Sequence, residues 1–193
     1  KDSKIKNLTN AECEFAYRDS IFKSKEKGRY VIISVTLKLS KNFTYTSKYP
    51  TVDKDVSDRN ISRPRLHDVR AAIVEIRKSK LPDPRVVPNC GSFFENAIVT
   101  KEKADELKNV YEDIKVFPVD DHHSKIPTGW LIEKCGLKGE YVGKLKVHDM
   151  NALVLTNRDG AGFVDLIETK QMIIDKVRDK FGIEIESEPN IIE

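Results

Sequence analysis

What this 193-residue chain lacks narrows its class first. No apolar run approaches the roughly 20 residues of a membrane-spanning helix. Lys1-Asp2-Ser3-Lys4 begins no signal peptide with an apolar core, so the expectation is a protein of the cytoplasm with no membrane partner. The three cysteines, Cys13, Cys90 and Cys135, are odd in number, widely spaced and without a CxxC pair. That argues against a disulfide framework or a zinc site and predicts reduced thiols. An initiator methionine is missing as well, which predicts a chain that starts in mid-protein. Basic residues exceed acidic ones by only 34 to 31, a net charge of +3, and they are scattered rather than gathered into a stripe with interleaved aromatics. A nucleic-acid partner is therefore not expected, whereas a slight positive balance suits an anionic small ligand.

What is present reads as an ordinary globular chain, with 34% charged and 39% hydrophobic residues, long enough for one domain or one with part of a second. Thr9 and Glu12 have the spacing of a capping box. Gly28 marks a turn before residues 30–40, whose alternation of Val31, Ile33, Val35, Leu37 and Leu39 predicts a core strand. Residues 41–63 show no sustained apolar periodicity and are expected to form a long loop. Ser62 and Pro64 predict a helix start, and Leu66, Val69, Ile73 and Ile76 an amphipathic face running to about Lys78. His67 lies off that face. Thr100 caps a further helix with Ala104, Leu107, Tyr111 and Ile114 on one side. Trp130, Leu131 and Cys135 predict a short buried helix ended by Gly136, residues 152–155 a strand, 163–181 a helix burying Phe163, Ile167, Ile174 and Val177, and IEIES a closing strand. The fold class is α+β, helices on mainly antiparallel strands.

The stretch with most chemical content is KLPDPRVVPNCGSFFEN, residues 80–96. Pro82, Pro84 and Pro88 forbid a helix interior or a central strand, and Gly91 frees the backbone directly before the Ser92 hydroxyl. From these residues alone it is either a rigid surface turn ahead of two core phenylalanines or a site. Paired His122 and His123 beside Asp120 and Asp121 do not make a metal centre, because adjacent residues on a polar loop do not readily share one ion. NRDGAG, residues 157–162, lacks the spacing of a dinucleotide fingerprint.

The 80–96 stretch resembles the signature of the UDP-N-acetylenolpyruvoylglucosamine reductase (MurB) family, in which a K-L-P-x-P lead-in precedes a Gly-Ser-Phe-Phe-x-Asn core. Three more blocks agree in order: CEFAYRDSIFK from residue 13, IPTGWLIEKCGLKG from residue 126 and IEIESEPNII from residue 183. The resemblance implies the later half of such an enzyme: residues 1–79 as the tail of the FAD-binding domain and 80–193 as the substrate-binding domain. The N-terminal half with its glycine-rich flavin loop is not in this sequence. It implies FAD and NADPH as cofactors, UDP-N-acetylglucosamine enolpyruvate as substrate, a monomer, and the missing N-terminal half as the chain's own partner.

Residue by residue, the resemblance implies Arg18, Ser92 and Glu188 as catalytic groups and Tyr17, Tyr49, Lys80, Asn96, Lys125 and Asn151 as substrate contacts. Hydride addition to an enolpyruvyl group builds an enolate next to a carboxylate, so a fixed cation such as Arg18 must face it. Glu188 would need a proton or a partner to assist rather than repel that charge. Ser92, aimed by a Gly-Ser turn, would then protonate the α-carbon. Cys90 is expected as a packed thiol with no covalent role. Phe117 stands where some members carry a tyrosine. Ala97 stands where proline is common after Asn96, and Pro189-Asn190 follow Glu188 in place of an apolar residue and arginine; these departures are expected to loosen local geometry. The alternatives are a nucleotide-sugar-binding module without redox chemistry, or a chain that is inactive alone.

Overall fold

The computed structural model describes residues 4–16, 19–46 and 49–191. The chain forms two compact units, 1–44 and 45–193. In the first, α1 (Asn10–Cys13) opens on the foreseen capping box: Glu12 N–H donates to Thr9 Oγ1 at 3.3 Å and Thr9 N–H to Glu12 Oε2 at 2.8 Å. Cys13 is buried, and its carbonyl accepts from Ile21 N–H at 3.1 Å. Gly28 takes φ +76°, the left-handed turn conformation that glycine adopts without a steric cost. The strand expected at 30–40 is not formed among the described residues. Its apolar face lies open, with Val31 87%, Val35 72% and Leu39 80% exposed. Alternation encodes a face to be buried; it does not supply the neighbouring strand whose hydrogen bonds make a ladder.

The second unit begins with a helical hairpin where a loop was expected. Helix α2 (Pro50–Asp58) starts on a proline at its first position and buries Val52 and Val56, four apart on one face. Tyr45 Oη donates to Asp53 Oδ1 at 2.6 Å and fastens the approach to it. Helix α3 (Leu66–Lys80) packs against α2 through Ala72, with Val69 and Ile76 beside it. It starts at Leu66 rather than at the Pro64 position, because the Asp68 carboxylate accepts from Arg65 N–H at 2.8 Å and sets the first turn there. Leu66 and Ile73, expected on the buried face, are exposed, since α2 covers only the Val69–Ala72–Ile76 line.

The main core lies further along. Strands β1 (Ala97–Thr100), β2 (Phe117–Pro118) and β3 (His123–Ile126) form an antiparallel sheet in the order β1-β3-β2, with Ala97 opposite Ile126 and Phe117 opposite Lys125. Strands β4 (Tyr141–Val142), β5 (Leu145–Val147) and β6 (Leu155–Thr156) make a second antiparallel sheet. Helix α4 (Lys101–Val110) is capped by Thr100 as foreseen and buries Ala104 and Leu107. Helix α5 (Thr128–Lys134) buries Leu131 and Ile132, while Trp130 is only half-buried, stacking edge-on to Tyr111 and donating from Nε1 to Asp113 at 2.9 Å. Helix α6 (Phe163–Phe181) has the expected bounds, with Ile173, Ile174 and Val177 in the core and Gly182 as its left-handed end. Phe163, expected inside, is exposed at the first helical position, and Ile167 is half-buried. The closing IEIES segment alternates as foreseen, burying Ile183 and Ile185, but pairs through a single bridge, Phe94 with Ser187.

The junction of β1 and α5 turns on Thr128, fully buried. Its hydroxyl accepts from Ala97 N–H at 2.9 Å and donates to Glu95 O at 2.6 Å. A proline at 97 could not make the first of these bonds. The alanine at 97 therefore permits a bond that proline would forbid. Thr128→Val removes both bonds at nearly constant volume and leaves a buried donor unmatched, so urea unfolding should show a loss of about 1–3 kcal/mol.

Candidate active site

The site is built on the turn-rich segment that leaves α3. Leu81 N–H closes the helix on Arg77 O at 2.8 Å. Next, Asp83 O accepts from Val86 and Val87 N–H, and its carboxylate accepts from Arg85 N–H at 3.0 Å and from Arg85 Nη2 at 2.7 Å. The guanidinium hydrogen bond first, and the backbone bond second, hold the Asp83 carboxyl down at about 2. A depressed carboxylate stabilises the turn above its unfolded value and loses that contribution as pH falls through about 2. Arg85→Ala should accordingly move the Asp83 midpoint, followed by carboxyl NMR, back up toward the ordinary aspartate range near 3.8.

Asn89 then sets the turn that aims Ser92. Its side-chain amide donates to Val87 O at 2.8 Å and Pro82 O at 3.3 Å, and its Oδ1 accepts from Gly91 N–H at 3.0 Å. Gly91 sits at φ +78°, and an added Cβ would meet nothing within 4 Å. Its requirement is thus conformational, worth about 1–2 kcal/mol against an L-residue.

From there the chain runs extended between two neighbours. On one side Ser92 bridges Val154, and Phe93 N–H donates to Leu153 O at 2.7 Å. On the other, Glu188 N–H donates to Phe93 O at 2.8 Å and Glu95 N–H to Glu186 O at 2.9 Å. Ser92 is half-buried, and Phe93 and Phe94 anchor it in the core. Asn151 joins from the turn before Leu153, its Oδ1 accepting from Leu153 N–H at 3.1 Å and its carbonyl from Val154 N–H at 3.0 Å. Ser92, Asn151 and Glu188, more than thirty positions apart in sequence, are brought together by this three-segment arrangement.

Cys90 is exposed, not packed as expected, because the Asn89–Gly91 turn carries it outward. Burial of part of the thiol pushes its pKa up, and the nearby Glu188 charge pushes in the same direction. Glu188 itself is exposed.

Asn96 and Lys125 stand at the start of the β1–β3 sheet. Asn96 Oδ1 accepts from Thr128 N–H at 3.2 Å at the start of α5, so the side-chain oxygen is already engaged. Lys125 is half-buried on the middle strand, with Nζ 5.1 Å from the centroid of the Phe117 ring. Tyr49, the residue before α2, is 70% exposed, and Lys80, the last residue of α3, is exposed too. Both belong to the α2–α3 hairpin with its separate small core, not to the strands around Ser92. Tyr17 and Arg18 lie outside the described residues. Thr128, which organises Asn96, was not foreseen; the alanine at 97, with a donor that proline lacks, was the available signal.

Asp120 accepts from the backbone N–H groups of His122 and His123, each at 2.7 Å, and from His123 Nδ1 at 3.0 Å. Those bonds, the His122 backbone bond foremost, lower its pKa. Among the described residues no group of three or more histidine, cysteine or acidic side chains could hold a metal. The 157–162 turn is sealed by Asn157, whose side chain donates to Ala161 O and accepts from Ala161 N–H, both at 2.8 Å.

The fold and site together define an α+β domain that presents a serine on a glycine-fixed turn, bracketed by an asparagine turn and a C-terminal glutamate. The chain belongs to the family described as UDP-N-acetylenolpyruvoylglucosamine reductase, C-terminal domain, whose model matches residues 83–192. Proteins named UDP-N-acetylenolpyruvoylglucosamine reductase are similar to it throughout. The one from Flavobacterium johnsoniae is 40% identical over 188 residues, 97% of this chain and 56% of the relative. The one from Neisseria meningitidis serogroup B is 43% identical over 184 residues, 95% and 53%, and that from Chromobacterium violaceum is 38% identical over 192, 100% and 56%. The chain spans about half the length of the curated relatives it matches.

Proposed function

We propose that this chain is the substrate-side half of a reductase that converts UDP-N-acetylglucosamine enolpyruvate to UDP-N-acetylmuramate for peptidoglycan synthesis. The observation that carries the reading is the bond from Glu188 N–H to Phe93 O at 2.8 Å, which lays the C-terminal segment along the residue that follows Ser92. FAD, if bound and reduced by NADPH, would supply the hydride that the enolpyruvyl β-carbon takes up. Its binding is assigned mainly to the N-terminal half that the resembling enzymes carry.

The chain's own residues act on what remains of the reaction. Arg18 meets the substrate carboxylate and the charge that develops on the adjoining enolate. Ser92, held by the Asn89–Gly91 turn, gives its proton to the α-carbon from one face. Glu188 assists at the enolate oxygen. Lys80 and Lys125 attract the diphosphate, and Tyr17, Tyr49, Asn96 and Asn151 seat the nucleotide sugar. The open apolar face of residues 30–40 supports an N-terminal half that covers it, since five alternating apolar side chains in water are costly. The protein would work as a cytoplasmic monomer; among the described residues no helix is long and apolar enough to cross a membrane.

The test is steady-state NADPH oxidation by the full-length protein with and without the enolpyruvyl nucleotide. Oxidation should require that substrate, Lys125→Ala should raise KM by about tenfold with a smaller change in kcat, and the present chain alone should be inactive. Substrate-independent turnover, or an unchanged KM, would count against the assignment.

A further inference from the structure

A cavity of about 320 Å³ lies behind the serine turn. Phe93 forms part of its wall and Ser92 does not, as alternation along an extended segment requires. Leu145, Leu155, Phe163 and Leu166 complete an apolar lining that contains no charged side chain. Its polar members are already committed: the Asn89 amide closes the 82–91 turn, the Asn157 amide closes on Ala161, and Pro88 O accepts from Asn157 N–H at 2.9 Å. Water would find few partners there, and an anionic nucleotide sugar would find no counter-charge. The volume lies within the range of small-molecule sites. Phe163, exposed on the first turn of α6, leaves the mouth reachable from solvent.

We propose that this cavity is a binding site for a neutral, largely apolar small molecule of fused-ring size, distinct from the face that carries Ser92, Asn151 and Glu188. Its ligand is recognised by area and shape, with the uncharged Cys90 thiol at the rim. Because Pro88, Asn89, Cys90 and Phe93 form one wall, occupancy bears on the turn that aims Ser92. The site is therefore placed to tune the turn without competing for the substrate. The inference rests on the cavity alone and stands whichever reaction the domain serves.

The probe is 1-fluoronaphthalene added to the intact chain, followed by fluorine NMR and by the rate of Cys90 alkylation. Saturable binding is expected, with amide shifts at Cys90, Phe93, Asn157 and Leu166 and slowed alkylation of Cys90 relative to Cys135. Ala161→Leu, which projects into the cavity while leaving its backbone bonds to Asn157 in place, should weaken binding by about tenfold or more. Val35→Lys, on the open 30–40 segment, should leave it unchanged. Binding that disappears in Val35→Lys, or unprotected Cys90 at saturating probe, overturns the proposal. The protection experiment needs no variant and decides the matter if Ala161→Leu fails to fold.

Discussion

Ser92→Ala in the full-length protein is expected to lower turnover by about 10²–10⁴-fold while leaving the NADPH half-reaction at its normal rate, because a positioned proton donor contributes on that scale. The size follows from how the hydroxyl is held. The turn is closed by the Asn89 side chain, released by a positive φ at Gly91 and clamped between Leu153–Val154 and Glu188. Such an arrangement restricts the hydroxyl to one face of a reacting carbon, and water diffusing into the gap reproduces neither its position nor its stereochemistry. Rapid-mixing absorbance separates the two halves of the cycle. Equal slowing of both would mean that Ser92 supports the turn without donating.

Phe94→Ala should unfold the domain more easily by about 3–5 kcal/mol, the cost of removing a large buried ring. Phe94 is 1% exposed, stacks edge-on to Phe93 with centroids 5.0 Å apart, and its backbone bridges Ser187. Its loss opens a void beneath the pairing of Phe93 with Glu188, so site and stability should fail together. Phe163→Ala provides the contrast. That ring is 44% exposed at the start of α6, and its removal should cost about 1 kcal/mol, well short of the Phe94 loss. Urea denaturation of the two variants gives the comparison directly.

Local signals with their own chemistry were legible before the fold was. The Thr9–Glu12 capping box, the Thr100 cap and the full extent of α6 were read from residues that interact within one or two turns. Helix α2 was missed because its Val52 and Val56 are two residues in a polar stretch, and only packing on α3 makes them a face. Residues 30–40 erred in the opposite direction, since an alternating pattern says which side must be covered and nothing about what covers it. The serine turn was visible as Pro and Gly punctuation. Its grouping with Asn151 depends on the Ser92–Val154 bridge, a long-range pairing that no local pattern announces. The exposure of Cys90 escaped notice for a related reason: a small thiol is usually buried, and here a side-chain-closed turn turns it out.

The most direct test of the account is reoxidation of the full-length protein after anaerobic bleaching with one equivalent of NADPH. Adding UDP-N-acetylglucosamine enolpyruvate should restore the oxidised flavin spectrum in step with formation of UDP-N-acetylmuramate. A sample that holds no flavin, or whose flavin stays reduced after the nucleotide is added, would contradict the proposed reductase and leave the serine turn without the reaction assigned to it.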